Sequence, residues 1–390
     1  MQFRELGNTG EKVSILGFGT MRLPTIKTHD NIDKTEASNI LKYGIDNGIN
    51  IIDTAYPYHG KEFAQAGNCE AFLGEFLKEN SYREDVLIST KSPSWLIEKE
   101  EDFSYFLDKQ LNALQTDYID VYMLHDINLK QWEKFREFNV IKFLENAKDE
   151  GKINHIGLSV HCDLWDLAEM LYAYDGWEVC LTQMNYVDET YQTGLEGLEY
   201  LKEAKVGTMI MEPLRGGTLV NNIPQPISDI WNKAEVKRTP LEWALEYLWD
   251  MENVDCVLSG MNSLEQVKQN IEIASEAKIN SISEFDKELI REVREKYMEL
   301  RGNACTGCNY CKGCPNNVDI VNCMKEYNIG KMLGDAKASA MHYFSRINKE
   351  NRAENCTACG DCIPLCPQFL DIPDELLKVH EYFGDEFNHF

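Results

Sequence analysis

Residues 13–24 read VSILGFGTMRLP, a run of branched and apolar residues that ends in a turn carrying Gly17 and Gly19. Similar short runs rich in Val and Ile begin at Asn50, Asp85, Tyr118, His155, Cys180, Gly207 and Asp255. Between them lie stretches at helical period, among them EASNILKYGIDNG from Glu36, EDFSYFLDKQLNALQTD from Glu101, LEWALEYLWDME from Leu241 and SLEQVKQNIEIASEA from Ser263. Eight strand–helix alternations imply a parallel sheet in an α/β protein. Two arrangements are open, a closed (β/α)8 TIM barrel and a doubly wound open sheet. The open sheet usually carries a glycine-rich dinucleotide turn after its first strand. GFGTMRLP has Gly17 and Gly19 but no third glycine at the required place. The turn therefore favours the barrel.

Composition narrows the function classes. The 390 residues carry a formal net charge of −26. That balance argues against nucleic acid and against anionic membrane surfaces, both of which need stripes of Lys and Arg. No apolar run reaches the ~18 residues needed to cross a bilayer. The first residues lack the basic-then-apolar layout of an export signal, so the cytoplasm is the expected location.

Of the 13 cysteines, Cys69, Cys162, Cys180 and Cys256 are scattered, and the rest fall between Cys305 and Cys366. CTGCNYCKGCP supplies Cys305, Cys308, Cys311 and Cys314; CTACGDCIPLCP supplies Cys356, Cys359, Cys362 and Cys366. The second run has the bacterial ferredoxin spacing C-x2-C-x2-C-x3-C-P, and the first departs from it by one residue. Three thiolates two residues apart on one loop can hold three corners of a 4Fe-4S cluster. The fourth lies beyond a bend and, in two-cluster ferredoxins, ligates the other cluster. Two clusters are expected: one on Cys305, Cys308, Cys311 and Cys366, the other on Cys356, Cys359, Cys362 and Cys314. Zinc sites also use C-x2-C pairs, but a zinc site leaves the third and fourth cysteine of each run unexplained. Cys323 reads as a buried thiol. A helical pattern, EFDKELIREVREKYMELRG, ends near Gly302. The expected division is a barrel over residues 1–300 and a small, partly helical ferredoxin-like domain over 301–390.

In a parallel barrel the chemistry sits at the C-terminal ends of the strands. The second strand ends in DTAYPYHG, giving Asp53 and Tyr58; the third in STK, giving Lys91; the fourth in LHD, giving His125. An acid, a phenol, an ammonium and an imidazole on three successive strands can protonate an alkoxide as hydride reaches carbon. A neighbouring ammonium is expected to lower the phenol's pKa, with the carboxylate holding that ammonium in place. Trp95, Phe63 and Trp132 are candidates to line a pocket, or ordinary packing.

These motifs, with GLS, Q-x-N, EPLRGG and GMNSLEQVKQN in that order, resemble the aldo-keto reductase family over residues 1–280. The tail resembles that of a branch with a C-terminal 4Fe-4S ferredoxin-like extension. The resemblance implies an NAD(P)-dependent oxidoreductase that reduces a carbonyl or oxidises an alcohol by direct hydride transfer. Asp53, Tyr58, Lys91 and His125 would be catalytic, with Tyr58 the general acid. It places cofactor contacts at Gly19, Thr20, Met21 and Asp53. Ser159 and Gln183 would hold the carboxamide, and Met211 takes the place of a stacking aromatic. Pro213, Leu214, Gly216 and Gly217 would follow the pyrophosphate, and Gly260, Met261, Gln266, Gln269 and Asn270 the adenosine end. The asparagine expected after Ser159 is Val160, followed by His161. Gly260 and Gln266 stand where cations often select NADP, so NADP and NAD both remain open, with Arg215 and Lys268 as substitutes. Partners would be a small-molecule carbonyl or alcohol and a redox partner protein. Two other functions stay in view: a ferredoxin-coupled oxidoreductase, and a redox-sensing regulatory subunit.

Overall fold

The branched runs close into a barrel. The protein was studied as a computed structural model that describes residues 1–61, 65–221, 223–305, 307, 310–366 and 368–384. It divides into two compact units, Met1–Gly216 with Leu241–Ser283, and Gly217–Pro240 with Glu284–Phe390.

The first unit opens with an antiparallel hairpin, β1 (Phe3–Glu5) and β2 (Lys12–Ser14). Eight parallel strands follow: β3 (Leu16–Gly19), β4 (Ile51–Asp53), β5 (Leu87–Ser92), β6 (Ile119–Ile127), β7 (Ile153–Val160), β8 (Val179–Gln183), β9 (Gly207–Met211) and β10 (Cys256–Ser259). Each pairs with the next, and β10 returns to β3, so the sheet is a closed barrel and not an open doubly wound one. Gly17 serves this packing: a Cβ there would lie 2.6 Å from Leu258 and 2.8 Å from the Cys256 thiol.

One expected strand is split. VSILGFGT reads as a single run, but Lys12–Ser14 pairs in the hairpin and only Leu16–Gly19 joins the barrel. Asn50 causes the break. Its side chain accepts from Ser14 N at 2.7 Å and donates to Lys12 O at 2.8 Å, which ties β2 to the chain entering β4. The turn of the hairpin closes one end of the barrel. Leu6 packs with Ile51, Val121, Met123, Val179 and Met209, and Gly7 (φ +52°) leaves no room for a side chain against Gly207.

Helices wrap this barrel: α1 (Lys34–Asp46), α2 (Cys69–Asn80), α3 (Glu100–Leu114), α4 (Leu129–Glu137), α5 (Val140–Asp149), α6 (Leu164–Ala173) and α7 (Gly194–Glu203). After α8 (Gln225–Trp231), which belongs to the second unit, come α9 (Pro240–Trp249) and α10 (Leu264–Glu276). α1 shows why the pattern works. Asp33 caps its first turn by accepting from Glu36 N, and its buried Ala37, Ile40, Leu41 and Gly44 fall on one face at 3.6-residue period.

The second unit also contains α11 (Glu284–Glu299), α12 (Ile320–Leu333), α13 (Ala336–Arg346) and α14 (Ile372–Phe383). Residue 300, the boundary expected from the sequence, lies just past α11. α8 and α11 pack together, with Lys233–Glu292 and Arg238–Asp286 ion pairs between their segments. Among the described residues this unit has helices and single 3-10 turns and no strand. Its core gathers Met324, Tyr327, Tyr343, Phe344, Leu376 and Phe383, with Tyr343 and Phe383 stacked at 4.3 Å. No helix among the described residues is long and apolar enough to cross a membrane.

Candidate active site

The end of β4, the turn after it and the ends of β5 and β6 bring four side chains to one rim of the barrel. Lys91 Nζ donates to both Asp53 oxygens, at 2.8 and 2.7 Å, and to Thr54 O at 2.7 Å. Ser89 Oγ donates to the same carboxylate at 3.0 Å. The pair is sealed, Lys91 being 1 % and Asp53 3 % exposed. Lys91 Nζ lies 5.1 Å from the centre of the Tyr58 ring. Tyr58 and His125 meet edge to face at 6.4 Å, and Trp95 closes on His125 at 5.2 Å. His125 is aimed by an irregularity in β6, whose register against β7 shifts between Leu124 and Ile127 with Asp126 at φ +51°.

Electrostatics set the protonation states. Burial pushes the Tyr58 phenol well above its ordinary value, and the charge of Asp53 pushes the same way. This corrects the expectation that a nearby ammonium would pull it down. Lys91 spends its charge on two oxygens of Asp53 and reaches only the face of the ring. Tyr58 therefore keeps its proton at neutral pH. Burial, then the charge of Lys91, hold the His125 imidazole well below its ordinary value, so it is neutral. Its Nδ1 is buried and has no hydrogen-bond partner. A protonated phenol beside a neutral imidazole suits donation to a developing oxyanion.

The candidate cofactor residues ring the same end of the barrel. Thr20 Oγ1 donates to Asp53 O at 2.8 Å, which joins the turn after β3 to the end of β4; Gly19 ends β3, and Met21 is exposed. The ring of His59 reinforces that joint, with Nδ1 at 2.8 Å from His29 O and Nε2 at 3.1 Å from Thr20 O. Ser159, at the end of β7, is buried and its Oγ has no partner. Gln183, at the end of β8, has both amide atoms engaged. Its Nε2 donates to Asp188 Oδ2 at 2.9 Å, and its Oε1 accepts from Gln192 Nε2 at 3.1 Å. Met211 ends β9, and Pro213, Leu214, Gly216 and Gly217 follow in a loop where both glycines have positive φ. Beyond β10, Met261 is buried. Ser263 caps α10 by accepting from Gln266 N, Gln266 Oε1 accepts from Asn262 N, and Gln269 bonds Glu265. Asn270 is buried with a partnerless Oδ1. Two candidate cofactor residues, Ser159 and Asn270, and the candidate catalytic His125 carry buried, partnerless polar atoms, which a polar ligand would satisfy.

Comparison with known proteins gives the same reading. The model of the Aldo/keto reductase family matches residues 15–290. The chain belongs to the aldo/keto reductase family. It is an NAD(P)-dependent oxidoreductase of that family. L-galactose dehydrogenase of Arabidopsis thaliana is 30% identical over 317 residues, which cover 75% of this chain and 93% of that protein. The holo form of an aldo-keto reductase from Bacillus halodurans is 26% identical, with a TM-score of 0.60 over 75% of this chain and 96% of that one. An aldo-keto reductase from Klebsiella pneumoniae in complex with NADPH shares the fold, at 22% identity and a TM-score of 0.60.

In this aldo/keto reductase three cationic side chains lie near the candidate cofactor residues or are expected from the sequence to serve them. Arg215, expected from the sequence as a candidate phosphate-reading cation, is paired with buried Asp188 at 3.2 Å. Lys268 lies over the Tyr43 ring at 5.6 Å. Arg22, which sequence reasoning passed over, is exposed and runs across Gly260 toward Gly216. Cβ atoms built on those glycines would lie 3.2 Å from its Cδ and 3.1 Å from its guanidinium. Its signal was its place, two residues after Thr20. Asp188 and Gln192 were also missed, and no local pattern marks them. Trp132 is core, 1 % exposed against Trp177, whereas Trp95 faces the site. Phe63 lies outside the described residues.

In the second unit of this aldo/keto reductase, Cys305, Cys311, Cys314, Cys356, Cys362 and Cys366 pack against the helical core, Cys359 is exposed, and none forms a disulfide. Cys308 and Pro367 lie outside the described residues. Burial pushes the Cys362 thiol up to about 11, and the charges of Cys356, Cys359 and Cys311 add to this. Ala358 N donates to Cys356 Sγ at 3.5 Å. Cys323 is fully buried, its thiol pushed up to about 12 by burial. Among the described residues no three His, Cys, Asp or Glu side chains converge to hold a metal ion.

Proposed function

We propose that this aldo/keto reductase reduces a small-molecule carbonyl, or oxidises the matching alcohol, by direct hydride transfer, and that Cys305–Cys366 carry two 4Fe-4S clusters. The observation that carries the first part is the sealed Asp53–Lys91 pair beneath a protonated Tyr58. A bound NADP or NAD supplies the hydride. Tyr58 gives its proton to the substrate oxygen as negative charge develops there, or takes it back in oxidation. His125, neutral, orients that oxygen by hydrogen bonding. Asp53 and Lys91 hold the phenol's surroundings fixed, so little reorganisation is needed in the transition state. Replacing Tyr58 with Phe tests this. Cofactor oxidation with every active aldehyde should fall steeply, and unchanged rates would defeat the mechanism.

The cluster part rests on the spacing of the two runs and on the donor set itself. Among the described residues the thiols of the two runs form no disulfide, all but exposed Cys359 are partly buried, and a backbone N–H is turned to one sulfur, which fits cluster ligation. The ligands would be Cys305, Cys308, Cys311 and Cys366, and Cys356, Cys359, Cys362 and Cys314. Such a unit is the ferredoxin-like extension proposed for this chain, in a cytoplasmic setting that keeps thiols reduced. Anaerobic purification with iron and sulfide analysis should find about eight of each per chain. A second reading, electron exchange with a redox partner protein, is favoured by exposed Ile363 and Leu365 within the second run and Phe369 just after it. It requires a two-electron to one-electron converter such as flavin, so flavin-free holoprotein would count against it.

A further inference from the structure

The hydrogen bonds around Gln183 have only one consistent direction. Asp188 sits 6 % exposed, paired to Arg215 at 3.2 Å, so it is an acceptor. Gln183 must then turn its Nε2 to Asp188 Oδ2, as must Asn185, both at 2.9 Å. That turns Gln183 Oε1 the other way, where it can only accept. Gln192 must therefore present its Nε2 to Gln183, at 3.1 Å, and the same nitrogen lies 3.3 Å from His161 Nδ1. With His161 in the tautomer whose Nδ1 is unprotonated, both N–H groups of Gln192 are used. Its Oε1 is left over, buried and without a partner.

The residue is held for this. Gln192 has φ +56°, a conformation that costs a non-glycine residue energy. The next residue, Thr193, is anchored to β8 by a 2.7 Å bond between its hydroxyl and that of Thr182. Tyr191 N, just before, bonds Asp188 O at 3.0 Å. A strained residue pinned on both sides, with a buried acceptor that the protein does not satisfy, is arranged for a donor from a ligand.

We infer that Gln192 Oε1 accepts the carboxamide N–H of the nicotinamide, in place of the asparagine that Val160 has displaced. Ser159 Oγ, on the adjacent strand β7, is a second partnerless group, and Gln183, held by Asp188, is a positioning residue that sets the direction of Gln192. This deepens the reductase reading above and rests on it.

The test compares dinucleotides that differ only at the carboxamide. Affinities of NADP and NAD are measured by calorimetry against their 3-acetylpyridine analogues, which lack the N–H, with ADP-ribose as a control lacking the ring altogether. Wild-type protein should bind the carboxamide forms about tenfold more tightly, the size expected for one buried hydrogen bond. In Gln192→Met that preference should shrink to about twofold or less, with ADP-ribose binding unchanged. Gln192→Leu, a second apolar variant, should behave alike. An undiminished preference in the variants overturns the inference, as does equal weakening of carboxamide dinucleotides, acetylpyridine analogues and ADP-ribose alike, which marks a folding role. Wild-type protein that binds no dinucleotide overturns the reductase reading and this inference together.

Discussion

Tyr58 has to keep its proton until a substrate oxygen takes it, and its enclosed surroundings do that. Tyr58→Phe is expected to lower kcat by roughly 10²–10⁴, the usual worth of a positioned acid, while leaving the Kd for the cofactor within about twofold. The pair below it is a different kind of group. Removing one partner of a buried ion pair strands the other charge, at a cost of roughly 3–5 kcal/mol. Lys91→Met should therefore lower the urea midpoint sharply. The double variant Asp53→Asn with Lys91→Met should regain much of that stability and none of the activity. Arg22 offers a charge where this acidic chain otherwise has few. Arg22→Ala should weaken NADPH binding about tenfold, as loss of a charge-assisted hydrogen bond does, and make the remaining affinity less sensitive to salt.

The elements carry information the residues alone do not. The strand ends that hold Asp53, Lys91 and His125 were readable because an apolar run and its first polar residue mark where a strand leaves the barrel. The bulge that turns His125 was not readable, since a register shift depends on the partner strand β7. Ile15 looks like the middle of one strand, and only the bonds from Asn50 divide it. Gln192 sits in a loop with no motif, and its meaning comes from Asp188 fixing Gln183. β8 has a similar tie at its start. Burial works to raise Glu178, but hydrogen bonds from His155, Lys148 and Ile156 N–H outweigh it and push the carboxyl down to about 2 from 4.5. The folded state thus binds this proton more weakly than the unfolded chain. The contact stabilises fully above about pH 4.5 and is lost as pH falls toward 2. Urea melts at several pH values should show Glu178→Gln less stable than wild type at pH 6, with the gap closing across that window.

At the scale of the molecule, the cysteine runs bracket α12 and α13 and lead into α14, so cluster ligation would staple the chain around those helices. Cys356→Ser and Cys362→Ser should each lower iron content. Hydrogen exchange in α12 and α14 should rise, because metal-binding energy is also folding energy for a small unit. The barrel has a closing order of its own. β10, made last, is the strand that pairs with β3, made first. A nascent chain leaving the ribosome at about 5–20 residues per second holds one flank of β3 unpaired from Gly19 until Ser259 emerges, on the order of tens of seconds. During synthesis that flank is an open template for another strand, and shielding by chaperones should matter most in this interval.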